Sequence, residues 1–342
     1  MADILLDRYA EALDEFPITG TPEEKLRAAV KYAILAPSSH NTQPWLFRVG
    51  PGGLELFADR SRGLPVVDPD DRELIISCGA ALFNLRVALR HFGNREVTEI
   101  LPDAGNPDLL ARVSLDGHLE PTDEDSALFR AIPLRRTYRL PFQRRPLAPS
   151  LVTALELAAV REGAWLKILE SEEARTALAD LVAEGDRRQM ADRRFRRELA
   201  AWIHPSRTRS RDGIPGYALG LGDLMAAAGP LVVRTFDVGR GQAAKHRELA
   251  LGSPVLAILG TAGDRPRDWL AAGQALERIL LRARVDGAAA SFLNQPIEVP
   301  ALRLEVQVLS GYTGYPQMIL RLGYDGEAKP TPRRPLAEVL LD

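Results

Sequence analysis

Two short stretches of this chain carry side chains able to hold an anion. The run APSSHNTQPW, residues 36–45, is the densest cluster of small polar groups in the sequence, with Ser38, Ser39, Asn41 and Gln43 within six positions. Their hydroxyls and amides both donate and accept hydrogen bonds. The run LRRTYRLPF, residues 134–142, alternates Arg135, Thr137 and Arg139. In an extended segment alternate side chains share one face, so two guanidinium forks and a hydroxyl can converge on one guest. Phosphate suits them, because arginine supplies planar, charge-assisted hydrogen bonds of roughly 1.5 to 3 kcal/mol each. Each stretch also has a plainer account. Serines and asparagines shape turns, and paired arginines can be solvated at a domain junction.

The elements around the polar run are readable. From Thr21, TPEEKLRAAVKYAILA has a threonine cap with Glu24 three residues on and apolar residues at helical spacing to Leu35, with Pro37 ending the helix. WLFRV and LELFA follow as strands around the turn Gly50 to Gly53. A helix is expected over residues 78–93, CGAALFNLRVALRHFG, and it has an echo in AGQALERILLRARVDG, residues 272–287. At a constant offset of 194 the two share Gly79/Gly273, Ala81/Ala275, Leu82/Leu276, Arg90/Arg284 and Gly93/Gly287. GAWLKIL, residues 163–169, likewise echoes the strand after the polar run, with Trp165 over Trp45. Two echoes in the same order point to a duplicated α+β unit. The first copy spans about residues 1–125 and the second about 126–342, the second being lengthened by an insertion over 185–225.

The copies differ where the chemistry lies. AAVREGAW in the second copy has lost the serines, asparagine and glutamine, and the first copy has no R-x-[ST]-x-R near its start. Each motif therefore occurs once.

PSS-x-N-x-Q-P-W together with R-x-[ST]-x-R resembles the flavin-binding pattern of the nitroreductase family, and the duplication resembles the Acg-type members, which fuse two such units. ADRSRGLPVVDPDDRELIISCGAAL (58–82), FLNQPIEVPALR (292–303) and TPRRPLAEVL (331–340) carry the likeness along nearly the whole chain. The resemblance implies an α+β, three-layer α/β/α nitroreductase-like fold, duplicated as an intramolecular pseudo-dimer. It also implies FMN, one per chain. Arg135, Thr137 and Arg139 would take the phosphate, helped by Arg333 or Arg334. Pro296, Ile297 and Glu298 would lie along the isoalloxazine, where family members offer a backbone N–H to the flavin N5. Pro37, Ser38, Ser39, Asn41 and Gln43 would meet the ribityl chain, phosphate and ring edge. Where the family usually has glycine after Pro-Ile-Glu, this chain has Val299, which narrows the backbone's approach to the ring. The implied activity is hydride transfer from NAD(P)H through FMN to a small-molecule acceptor, a nitroaromatic, a quinone or similar. The rival is a protein that sequesters FMN behind a closed entrance.

Other features read more plainly. Trp45 is expected in the core. Asp68, Asp70 and Asp71 lack the ligand pattern of a calcium loop and read as helix-start charges rather than a metal site. GRGQAAK, residues 239–245, lacks the third glycine of a dinucleotide loop and reads as a turn after the strand-like LVVRTFDV. Phe195, Leu199 and Trp202 give the insertion an amphipathic helix ending near Pro205, either a solvated surface helix or a lid. There is no G-x-S-x-G and no H-E-x-x-H, which argues against hydrolase and metalloprotease chemistry. Across 342 residues, 44 basic against 46 acidic side chains give a net charge of -2, so no global field favours nucleic acid or a membrane surface. Cys78 is the only cysteine, which fits a reducing compartment. The start, MADILLDRYAEALDEF, has acids where a signal peptide has a basic end, and no apolar stretch approaches the roughly 18 residues of a span. A cytoplasmic protein is expected.

Overall fold

A computed structural model describes residues 16–206, 209–219, 239–324 and 328–342. The expected strand over LVVRTFDV lies outside them, as does part of the insertion. Helix α1 (Pro22–Ala33) begins on the predicted capping box: Thr21 Oγ1 accepts from Glu24 N at 3.2 Å, and Glu24 accepts from Thr21 N at 2.8 Å. It ends two residues before Leu35, because Pro37 excludes helical backbone at Ala36.

The first sheet holds β1 (Trp45–Gly50), β2 (Gly53–Ala58), β3 (Asn94–Ile100), β4 (Leu109–His118) and β11 (Leu340–Leu341), in the order β11-β1-β2-β4-β3. Trp45 pairs with Ala58 and Gly50 with Gly53, which makes the predicted hairpin. Trp45 is fully buried, as expected of a core residue. The chain's last residues supply the outer strand, with Leu340 parallel to Phe47, so the tail is tied to a sheet otherwise built from residues 45–118. The second sheet has the order β5-β8-β10-β9, all antiparallel, from β5 (Ala164–Ile168), β8 (Val255–Thr261), β9 (Ala288–Phe292) and β10 (Tyr315–Tyr324). A parallel pair, β6 (Ile203–His204) with β7 (Ile214–Pro215), lies within the insertion.

Between the sheets run α2 (Arg72–His91) and α8 (Pro266–Val285). Each starts six residues earlier than the apolar repeat indicates. At α2, Asp68 accepts from Leu74 N at 2.9 Å and so holds the helix start, while Asp71 stands at the N-cap without a side-chain capping bond. The two helices cross at Gly79 and Gly273. A Cβ on Gly273 would stand 2.0 Å from the Ile76 carbonyl oxygen, and one on Gly79 would stand 2.3 Å from that of Leu270. Only glycine allows backbones this close. One core cluster joins α1, α2 and the first sheet with Leu270 and Leu281 of α8, and a second joins α8 and the other sheet with Ile76 of α2. Contrary to the expectation that no stretch approaches a membrane span, α2 is long and apolar enough for one, but 83% of its apolar window is buried.

The rest is helical cover: α3 (Asp123–Ala131), α4 (Pro149–Arg161), α5 (Glu172–Ala191), α6 (Arg193–Ala201), α7 (Gly239–Leu251), α9 (Gln295–Glu298), α10 (Pro300–Ser310) and α11 (Leu336–Val339). GRGQAAK is not a turn. It opens α7, because after two glycines the sequence QAAKHRELAL consists largely of strong helix formers. The insertion's amphipathic helix is present as α6, where Phe195 packs with Leu64, Val67 and Met190.

Candidate functional site

Three residues of the polar run that are not glycine have left-handed backbone: His40 (φ 50°), Asn41 (φ 57°) and Gln43 (φ 54°). Such conformations cost about 1 to 3 kcal/mol each and persist only where surroundings enforce them. Here the enforcement is hydrogen bonding from four directions. Ser38 Oγ accepts from Gln43 N at 2.9 Å, and Ser39 Oγ donates to Glu73 at 2.6 Å. Asn41 donates to the carbonyls of Gly213 (3.0 Å) and Pro332 (3.2 Å). Gln43 donates to the Arg211 carbonyl at 2.8 Å, and its side-chain oxygen accepts from Arg334 N at 2.7 Å. Pro37 is buried where the run begins.

The basic segment reaches the same loop. Residues 135–142 are held on the edge of the second sheet, with Thr137 bridging to Ala290 and Tyr138 N donating to the Ala290 carbonyl at 3.0 Å. Arg321 of β10 braces it by donating to the carbonyls of Tyr138 and Leu140. Arg135 turns inward and donates to the Leu35 carbonyl at 3.2 Å, while its Nε lies 3.5 Å from Glu277. Arg139 lies near His40: burial, with the charge of Arg139, pushes the imidazole down to about 4, so His40 is neutral at pH 7. Burial and the neighbouring Arg135 lower the Arg139 guanidinium to about 10, so it keeps its charge. Among the described residues no carboxylate offsets it.

Of the two tail arginines, Arg333 faces the loop. It donates to the carbonyls of Leu35 and Ala36, each at 3.1 Å, and to Asn41 Oδ1 at 3.1 Å. Arg334 is used differently, bonding to the Gln43 carbonyl at 3.0 Å and the Glu338 carbonyl at 2.6 Å, which locks β11 against the run.

The Pro-Ile-Glu segment approaches from the other side, through carboxylates. Glu73 is buried, accepting from Ser39 on one side and from Arg72 (3.0 Å) and Asn294 (3.5 Å) on the other. Burial, reinforced by Glu73, holds the Glu298 carboxyl well above the usual range, and burial with Glu73 raises Asp68 to about 6. Gln189 donates to Glu298. Gly185 lets α5 seat itself against α9, since a Cβ there would meet Gln295 at 2.8 Å. The N–H groups of Ile297 and Glu298 both donate to the Asn294 carbonyl, at 2.7 and 3.1 Å. Both N–H groups are thus engaged within the chain.

The loop is thus where Arg135, Arg139, Arg333 and Arg334 reach the polar run, whereas Thr137 is placed against Ala290, and Pro296 and Ile297 make no bond to the run among the described residues. Ser39 reaches Glu73, His40 lies beside Arg139, Ser38 bonds within the loop, and Arg333 holds the carbonyls of Leu35 and Ala36 that follow α1. Asn41, Gln43 and Arg334 face the tail and the insertion instead. Gln43→Ala would leave the buried Arg334 N unpaired and remove the part-buried bond to the Arg211 carbonyl. It is expected to destabilise the fold by about 1 to 3 kcal/mol, read as a lowered urea midpoint at unchanged slope.

Sequence reasoning passed over His40, Glu73 and Glu277. His40 stands inside the conspicuous loop. The two glutamates lie on helices whose polar positions look solvated until both helices are sandwiched between sheets.

No family model matches this chain. The Mycobacterium tuberculosis (strain H37Rv) protein Rv3131, which bears the name of an NAD(P)H nitroreductase, is 35% identical over 323 residues, covering 93% of this chain and 91% of that one. Acg of the same organism, also named as an NAD(P)H nitroreductase, is 29% identical over 329 residues, covering 94% and 97%. Among solved structures, the FMN-dependent nitroreductase NfnB from Mycobacterium smegmatis in complex with NADPH aligns with TM-score 0.40 and 17% identity over 63% of this chain and 97% of that one. With the polar run and the basic segment meeting in one place and the likeness to Rv3131 running along nine-tenths of both chains, the protein belongs to the nitroreductase family, in the company of Acg.

Proposed function

We propose that the chain binds one FMN between its polar run and its basic segment and acts as an NAD(P)H-dependent oxidoreductase on a small acceptor such as a nitroaromatic or a quinone. The observation that carries this reading is the convergence of Arg135, Arg139 and Arg333 on residues 35–41. Arg139 there lacks a carboxylate among the described residues, and the buried Arg135 Nε and His40 Nδ1 have no hydrogen bond. Buried polar atoms of this kind are uncommon and suit an absent partner. Arg135, Arg139 and Thr137 would hold the phosphate, Ser38 and Ser39 the ribityl side, and Pro296, Ile297 and Glu298 the ring side. When bound, FMN supplies the hydride-accepting and hydride-donating ring. The chain contributes position and positive charge.

The same reading has the chain as two fused, degenerate halves, about 1–125 and 126–342, equivalent to a dimer in one polypeptide. The crossing of α2 and α8 at Gly79 and Gly273 favours it, since the positions paired by the sequence repeat touch each other in space. A single chain then needs no second copy to complete the site, and a flavin titration should saturate at one equivalent per chain.

One observation favours the rival, a flavin-sequestering protein. The insertion is bonded directly to the polar run, through Gly213 and Arg211 to Asn41 and Gln43, and indirectly through Arg62, which donates to both Asp212 and the Thr42 carbonyl, as a cover over a bound cofactor would be. Mixing the FMN-loaded protein with NADPH or NADH without oxygen separates the two. Bleaching of the flavin within seconds is expected for the reductase, whereas a colour discharged only by dithionite would establish sequestration.

A further inference from the structure

Glu277 is the oddest group near the site. It projects from the middle of α8, is fully buried, and beyond the Asn84 amide has no hydrogen-bonding partner among the described residues. From the segment after α3 it faces Arg135, whose Nε is 3.5 Å away; from the tail it faces Arg333, and from α2 the Asn84 amide. Its neighbour Arg278 is turned away, toward Glu162 and Glu124. As a stabiliser of the fold this ion pair is poor. A buried pair offsets its desolvation only with close geometry and further hydrogen bonds; here the separation is 3.5 Å and the Asn84 amide is the single hydrogen-bonding neighbour of the carboxylate among the described residues. The sequence repeat sharpens the point: 194 positions earlier, in the copy without a basic motif, the equivalent residue is Phe83. The acid stands only where the arginines stand.

We propose that Glu277 is a specificity-determining residue of the anion seat, a built-in counter-charge for Arg135 that takes up a proton when a phosphate dianion arrives. This rests on the FMN reading above. Two negative charges brought to Arg135, Arg139 and Arg333 compete with Glu277 for the same guanidinium and repel it, and in a buried site the carboxylate relieves that by protonation. The group is poised for the change. Burial raises it to about 7 against the pull of Arg135 and Arg333.

The sign follows. The empty protein already holds the Glu277 proton below about pH 7, so there the phosphate meets a neutral acid. Above that, binding draws one proton from solution, and affinity falls by up to tenfold per pH unit. The phosphate's own second ionisation, near pH 6, is complete in this range. Arg139, lowered only to about 10, stays charged.

The test is an FMN titration of the full chain, followed by flavin fluorescence between pH 7.0 and 8.5, with calorimetry in two buffers of different ionisation heat to count protons. Wild type is expected to lose at least about fivefold in affinity across that range and to take up between half and one proton at its upper end. Riboflavin, which lacks the phosphate, should bind with no uptake. Glu277→Gln should be flat within twofold and bind FMN more tightly than wild type at pH 8.5. Equal pH slopes in the two proteins, or equal uptake with riboflavin, would overturn the proposal while leaving FMN binding intact. Folded wild-type protein that binds no FMN at any pH would overturn the cofactor reading itself.

Discussion

Arg139→Ala is expected to release FMN at concentrations where the wild type retains it, weakening affinity by about 1.5 to 3 kcal/mol, or roughly 10- to 150-fold. Of the three residues in the basic motif, Arg139 should show this most cleanly. Arg135 already bonds the Leu35 carbonyl and faces Glu277, so its removal also damages the fold's interior and leaves Glu277 without a counter-charge. Among the described residues Arg139 has no carboxylate to abandon. Its loss takes away attraction for a guest without stranding a buried partner. The unfolding free energy of the ligand-free variant should therefore lie within about 0.5 kcal/mol of wild type, the range of substitutions that break no internal contact. Dialysis and fluorescence titration read the first quantity, and urea unfolding of the ligand-free proteins reads the second. Undiminished retention would remove Arg139 from the phosphate seat.

The same variant bears on His40. Burial, with the charge of Arg139, is what pushes the imidazole down to about 4. Without the guanidinium that pKa should rise, while burial, the larger cause, still holds it below the ordinary histidine range; the pH dependence of the ring proton shifts reads the change.

How far the sequence disclosed the site depends on the range of the interactions involved. The polar run and R-x-T-x-R were legible because each is local. A few side chains at fixed spacing define a face; the pairing of Thr137 with Ala290 of β9 is something only the structure adds. Their meeting, about a hundred residues apart in the chain, was legible only through the family resemblance and the observation that each motif occurs once. What stayed hidden was decided by tertiary context. The parallel pairing of β11 with β1 joins residues almost three hundred positions apart, and no local signal specifies it. α7 was mistaken for a turn because two glycines at its start outweighed the helix-forming run behind them. Glu277 sits at what a helical pattern marks as a polar position, yet α8 is enclosed by the other sheet on one side and by α2 on the other. Amphipathic periodicity describes a helix with one wet face, and α8 has almost none over its central turns.

Dependence of the site on that enclosed crossing gives the largest stability effect expected of any single methyl group here. Gly273→Ala places a carbon 2.0 Å from the Ile76 carbonyl oxygen and 2.8 Å from Gly79 Cα. Both are backbone atoms of α2, and neither can swing aside as a side chain would. Overpacking of this kind costs about 1 to 3 kcal/mol and sometimes more, whereas replacing a mid-helix glycine by alanine returns only about 1 kcal/mol of helix propensity. The contact wins, and a net loss of about 2 kcal/mol or more is expected in urea unfolding. Gly241→Ala in α7 supplies the contrast, because nothing lies within 4 Å of its added carbon; propensity acts alone there, and the variant should be as stable as wild type or slightly more so. The crossing also sets the distance between the loop, anchored through Ser39 to Glu73 of α2, and Arg135, anchored to Glu277 of α8. If the two helices are forced apart at Gly273, both halves of the seat move with them. Gly273→Ala should then lose FMN affinity even at temperatures where it remains folded, while Gly241→Ala should not. Equal stability and equal affinity in the two variants would mean that the helices do not meet as closely as their glycines indicate.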